Sequence, residues 1–132
     1  MTAATTDLPL DALGPEARFR AELAAGQFML QRDVATGKAV FPPRLVAPGS
    51  GAVLEWFAPS GLGTVYATTV TRRRPEQGGD VNVAMIDLDE GCRMMSRVTG
   101  VAPEEVRIGM RVKARVEELG GAPQILFAPA AG

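Results

Sequence analysis

Arg72, Arg73 and Arg74 form the densest run of like charge in this sequence. Guanidinium forks match phosphate oxygens, so the chemistry they offer is anion binding. The ordinary use of such a run is a solvated strand end. Arg44 follows Pro42 and Pro43, and the stiff backbone lets it hold an anion at little entropic cost. Its ordinary use is an ion pair tying its segment to the rest of the chain. Trp56 and Phe57, shortly before Pro59, present aromatic faces on which an adenine could stack, although packing is the commoner fate of such a pair. Asp87, Asp89 and Glu90 gather at one turn and could serve acid–base chemistry or a cation, or simply solvate the turn.

None of these groups has the company that catalysis needs. The chain contains no histidine, so the commonest general base and the commonest metal ligand are both missing. Cys92 is the only cysteine, which excludes an intrachain disulfide and leaves the thiol with no histidine to activate it. A stand-alone enzyme is therefore disfavoured. The formal net charge of −1 supplies no general attraction for nucleic acid or an anionic membrane. With no apolar run long enough to span a bilayer and no signal peptide, the expectation is a cytoplasmic protein.

The elements that must carry these residues are mostly short strands. Fifteen glycines and ten prolines in 132 residues make much of the chain turn. Residues 1–13 read as a flexible start. Residues 14–26 read as a helix, with Pro15 in its first turn, Glu16 at its positive end and Gly26 at its exit. Phe19 and Leu23 share a face of that helix, so it packs on the domain, docks a partner or lines a ligand groove, with Phe28 just beyond it. Residues 27–52 form two small knuckles around Pro42-Pro43-Arg44, with too few apolar residues for a core of their own.

Residues 53–129 read as a five-stranded barrel. Thr64–Val70 is rich in β-branched residues, and Gly61 and Gly63 suggest a bulge bending a long strand. Val81–Leu88 alternates Val81, Val83, Met85 and Asp87 against Asn82, Ala84, Ile86 and Leu88. Asp89-Glu90-Gly91 turns the chain into a second arm, Arg93–Val98, with Met94 and Met95 opposite Met85. Ala102–Val106 is a helical turn. Arg111–Glu117 is a half-buried strand, and Gln124–Phe127 closes the set. Five strands with a helical insert between the third and fourth follow the order of an OB-type barrel.

Phe41-Pro42-Pro43-Arg44, Leu54-Glu55-Trp56, the run Ser60–Tyr66, Leu88–Gly91 and Val106–Val112 together resemble the DUF35 family over residues 15–129. The resemblance implies a mainly β fold: an N-terminal helix, a rubredoxin-like zinc ribbon, then a five-stranded OB-fold barrel. Family members commonly carry two Cys-x-x-Cys pairs flanking the Pro-Pro-Arg. The matching positions here are Asp33, Thr36, Ala47 and Ser50. Zinc needs thiolates or their like, so the expectation is a degenerate ribbon with no zinc and no tightly bound cofactor.

The resemblance further implies a non-catalytic accessory subunit in lipid metabolism. Such a subunit pairs with a thiolase-like or MaoC-like hydratase protein and helps hold coenzyme A or an acyl-CoA. The residues assigned to the coenzyme A phosphates or adenine are Arg44, Arg72, Arg73, Arg74 and Trp56, and those assigned to the partner interface are Phe19, Leu23 and Phe28. Two rivals stand beside this reading: a single-stranded nucleic-acid module and a stand-alone acyl-CoA-binding protein. A net charge of −1 and aromatic residues at core-like positions argue against the first.

Overall fold

The computed structural model describes residues 12–130. The flexible start expected over residues 1–13 lies outside these, apart from Ala12 and Leu13. The chain divides into two compact units, with the boundary between Pro59 and Ser60. No helix among the described residues is long and apolar enough to cross a membrane.

In the first unit, helix α1 (Pro15–Ala24) starts on Pro15 and carries Glu16 in its first turn, where an acid suits the positive helix end. Three strands follow: β1 (Leu30–Asp33), β2 (Ala39–Val40) and β3 (Leu54–Phe57). They pair antiparallel in the order β2-β1-β3. Residues 53–59 were expected within the barrel domain. Instead Leu30 to Asp33 pair along Phe57 to Leu54, so this stretch completes the small sheet of the first unit. Leu23, Leu30, Ala39 and Ala47 form the buried core.

The second unit is the five-stranded sheet: β4 (Leu62–Thr71), β5 (Val81–Leu88), β6 (Arg93–Ser96), β7 (Arg111–Leu119) and β8 (Ala122–Pro129). Their order is β6-β5-β4-β7-β8, antiparallel throughout. The sheet curls until its edges meet. Val98 bridges Phe127 in parallel, Phe127 N–H donates to the Arg97 carbonyl at 3.0 Å, and Thr99 N–H donates to the Phe127 carbonyl at 2.7 Å. Closure removes the open edges that a five-stranded sheet would otherwise expose. A short 3₁₀ turn, Pro103–Glu105, lies between β6 and β7. This is the OB-type order expected from the sequence.

Alternation along β5 is complete: Asn82, Ala84, Ile86 and Leu88 are buried while their neighbours are half-buried. Met85 pairs with Met95, which stays exposed, whereas Met94 is buried. The β4 bulge falls between Val65 and Ala67, not at Gly61 or Gly63. Gly63 has a different job. A Cβ there would stand 2.8 Å from the Asp87 carbonyl oxygen and 2.8 Å from Ile86 Cγ2, so the residue is glycine because β5 passes too close for a side chain. Buried Asn82 has partners for its whole amide. Its nitrogen donates to Thr68 Oγ1 and the Thr69 carbonyl, and its oxygen accepts Val98 N–H at 3.0 Å.

Candidate functional site

The residues expected to bind anions fall in both units and differ in availability. Arg72 is committed. Its guanidinium donates to Asp80 at 2.6 Å and to Glu104 at 2.8 Å. These hydrogen bonds hold the Asp80 carboxyl below its ordinary range and raise Arg72. Arg73 N–H also donates to Asp80, and Arg74 lies 4.0 Å from Glu76. Arg72 is therefore neutralised and Arg74 lies near an acid, while the Arg73 guanidinium reaches only the Gln77 carbonyl at 3.5 Å.

Arg44 is arranged differently. The buried Gln31 side chain grips its backbone from both sides. The Gln31 amide nitrogen donates to the Arg44 carbonyl at 2.7 Å, and Arg44 N–H donates to Gln31 Oε1 at 2.8 Å. This places Arg44 on a fixed backbone after the cis Phe41–Pro42 peptide. Its guanidinium has no acidic partner among the described residues, so the ion pair offered as its ordinary use is not made there. Beside it Leu45 is 81% exposed and Val46 51%, along an open depression that runs from Pro43 to Gly51. An unpaired cation next to exposed aliphatic side chains suits a ligand or partner with an anionic group and an apolar neighbour. The sequence located Arg44 through its two prolines. Gln31, the residue that fixes it, gave no signal, because the amide finds its partner thirteen positions away.

Trp56 is half-buried, and the Arg18 guanidinium sits 5.1 Å from its ring centre. One face of the ring is already covered by a cation, which leaves less aromatic surface for an adenine than the sequence reading supposed. The residues expected at a partner interface are covered to different degrees. Leu23 is buried, and the Phe19 ring packs against Phe41 with centroids 5.6 Å apart. Leu23 is thus a core residue of the first unit rather than an interface residue. Phe28 is half-buried.

The carboxylates at the β5–β6 turn each have a structural partner. Asp87 takes a forked pair of hydrogen bonds from Arg93, whose guanidinium also lies 3.5 Å from the Tyr66 ring centre. Asp89 takes a fork from Arg111 at 2.7 and 2.8 Å, which lowers the Asp89 carboxyl. Glu90 accepts Ser60 N–H at 2.7 Å. Burial, reinforced by the nearby Glu90 charge, pushes the Cys92 thiol up to about 11, so it is protonated at neutral pH and unsuited to attack.

The four positions where the resemblance implies zinc ligands hold a carboxylate, two hydroxyls and a methyl group. Both oxygens of buried Asp33 are engaged: Oδ1 accepts Ala35 N–H at 2.7 Å, and Oδ2 accepts the Ser50 hydroxyl at 3.4 Å. Ala47 has no donor atom. This set does not fit a tetrahedral thiolate site, and no group of three acidic or sulfur ligands lies together among the described residues.

Fold and site together define a closed OB-type barrel preceded by a small helix-and-ribbon unit, with an anchored arginine and no assembled nucleophile and base among the described residues. The family model for the C-terminal OB-fold domain of ChsH2 matches residues 56–117. A DUF35 domain-containing scaffold protein of Pyrococcus furiosus is 35% identical over 81 residues, covering 58% of this chain and 60% of that protein. The 3-oxo-4,17-pregnadiene-20-carboxyl-CoA hydratase alpha subunit of Mycobacterium tuberculosis is 32% identical over 93 residues, which is 68% of this chain but 30% of that subunit. The solved structure of an Ltp2-ChsH2(DUF35) aldolase superposes with a TM-score of 0.76 at 26% identity, covering 91% of this chain and 98% of that one. In sequence and fold the chain is similar to DUF35 proteins. It spans about three-fifths of the scaffold protein and under a third of the hydratase subunit.

Proposed function

We propose that this chain is a non-catalytic accessory subunit. It pairs with an acyl-CoA enzyme of the thiolase-like or hydratase-like kind, and Arg44 helps to hold the anionic part of the coenzyme A substrate. The carrying observation is Arg44 itself: a guanidinium with no acidic partner among the described residues, on a loop that Gln31 fixes, beside exposed Leu45 and Val46. The relatives support the pairing, since one is named a scaffold protein, one a subunit of a CoA-ester hydratase, and one an aldolase assembled with a DUF35 component. The protonated Cys92 and the paired carboxylates support the non-catalytic part.

Calorimetry with coenzyme A on the complex with a co-expressed thiolase-like or MaoC-like protein tests this. A charge-assisted hydrogen bond contributes about 1.5–3 kcal/mol, so Arg44→Ala is expected to weaken binding by roughly ten- to a hundredfold. Arg72→Ala, whose guanidinium is occupied by Asp80 and Glu104, is expected to leave binding within about twofold. Unchanged affinity in Arg44→Ala, or an equal loss in both variants, would contradict the assignment.

A further inference from the structure

The segments around Asp33 and Ala47 are built on one plan. Asp33 N–H donates to the Lys38 carbonyl at 2.9 Å, and Ala47 N–H donates to the Ala52 carbonyl at 2.9 Å. Gly37 N–H returns to the Asp33 carbonyl at 2.7 Å, and Gly51 N–H to the Ala47 carbonyl at 2.9 Å. Gly37 and Gly51 both take left-handed backbone, with φ of 77° and 70°. Thr36 Oγ1 accepts Lys38 N–H at 3.2 Å, and Ser50 Oγ accepts Ala52 N–H at 3.2 Å. Residues 33–38 and 47–52 are therefore two copies of one knuckle. A hydroxyl in each does the accepting that a metal-bound thiolate would otherwise do. One contact breaks the symmetry: the Ser50 hydroxyl reaches across to Asp33 Oδ2.

From this repeat we infer that the first unit is a zinc ribbon converted to a metal-independent clasp. The paired knuckle backbones are retained, the hydroxyls of Thr36 and Ser50 cap them, and the Ser50–Asp33 hydrogen bond joins them where a shared ion would sit. Ala47, which no longer ligates anything, is buried at 2% exposure and adds its methyl group to the core instead. The fold of the knuckles is thereby separated from the metal that a ribbon normally combines with it.

The test uses the full chain. Wild-type protein exposed to excess Zn²⁺ and desalted is expected to carry well under about one-tenth of a zinc per chain by elemental analysis, with a melting temperature that EDTA leaves unchanged. The variant D33C/T36C/A47C/S50C is expected to bind one zinc per chain and to lose thermal stability on chelation, because its backbone already presents two knuckles to a common centre. Stoichiometric zinc on the wild type would overturn the inference. So would a four-cysteine variant that shows native circular dichroism yet takes up no zinc. Should that variant fail to fold, two single changes decide. Ser50→Ala and Thr36→Ala each remove one local cap, but only Ser50→Ala also removes the cross-knuckle bond. A larger fall in melting temperature for Ser50→Ala, by a few degrees, is expected. Equal falls would overturn the clasp.

Discussion

At the residue scale, chemistry was easier to place than occupancy. Arg44 was legible because two prolines stiffen the chain before it. The arginine run at 72–74 was legible as charge, but nothing local revealed that Asp80 and Glu104 take up Arg72, since Glu104 lies 32 positions away. Trp56 and Leu23 misled for the same reason. A side chain's neighbours across a sheet or under a helix decide whether it faces a ligand, and sequence spacing does not record them. Gly63 shows the opposite case, in which the residue was noticed and its reason missed. A bulge and a close approach both call for glycine, and only the passage of β5 distinguishes them. Gly63→Ala would place a Cβ at 2.8 Å from backbone that cannot yield freely. The expected outcome is a loss of about 2–3 kcal/mol in urea denaturation, in the range of overpacked cores.

At the element scale, the strands were legible because their periodicity is strong. Asn82, Ala84, Ile86 and Leu88 alternate with Val81, Val83, Met85 and Asp87 as expected, and the helical turn falls between β6 and β7. The assignment of Leu54–Phe57 to the barrel was wrong because a four-residue strand carries no sign of which sheet it joins. Its pairing with β1 is a long-range choice made by register. Buried Asn82 is placed by the sequence only on one of the two sides of its strand. It links β4, β5 and the start of the barrel closure through Thr68, Thr69 and Val98. Removing it leaves the buried Val98 N–H without an acceptor. Asn82→Ala is expected to cost about 2–3 kcal/mol and to speed amide exchange at Val98 first, measured by hydrogen-exchange spectroscopy.

At the scale of the whole molecule, the sequence and the fold agree on what kind of protein this is. A closed barrel removes reactive sheet edges, a ribbon holds its shape by hydrogen bonds, and Arg44 is held on an anchored backbone with no acidic partner among the described residues. The groups that could have served catalysis are bound into the structure. Asp87 and Asp89 lie in arginine forks, and the Cys92 thiol is held well above neutral pH. The proposed function accordingly assigns the chemistry to a partner. What the sequence could not supply was the partner, because a docking surface is written in two chains and only one was read. The most direct measurement is size-exclusion chromatography with light scattering after co-expression with a thiolase-like or hydratase-like protein. The account predicts co-elution at the mass of a defined complex, with acyl-CoA turnover in that fraction and none in the isolated chain. Elution of the chain alone, or turnover of an acyl-CoA by the chain without a partner, would contradict it.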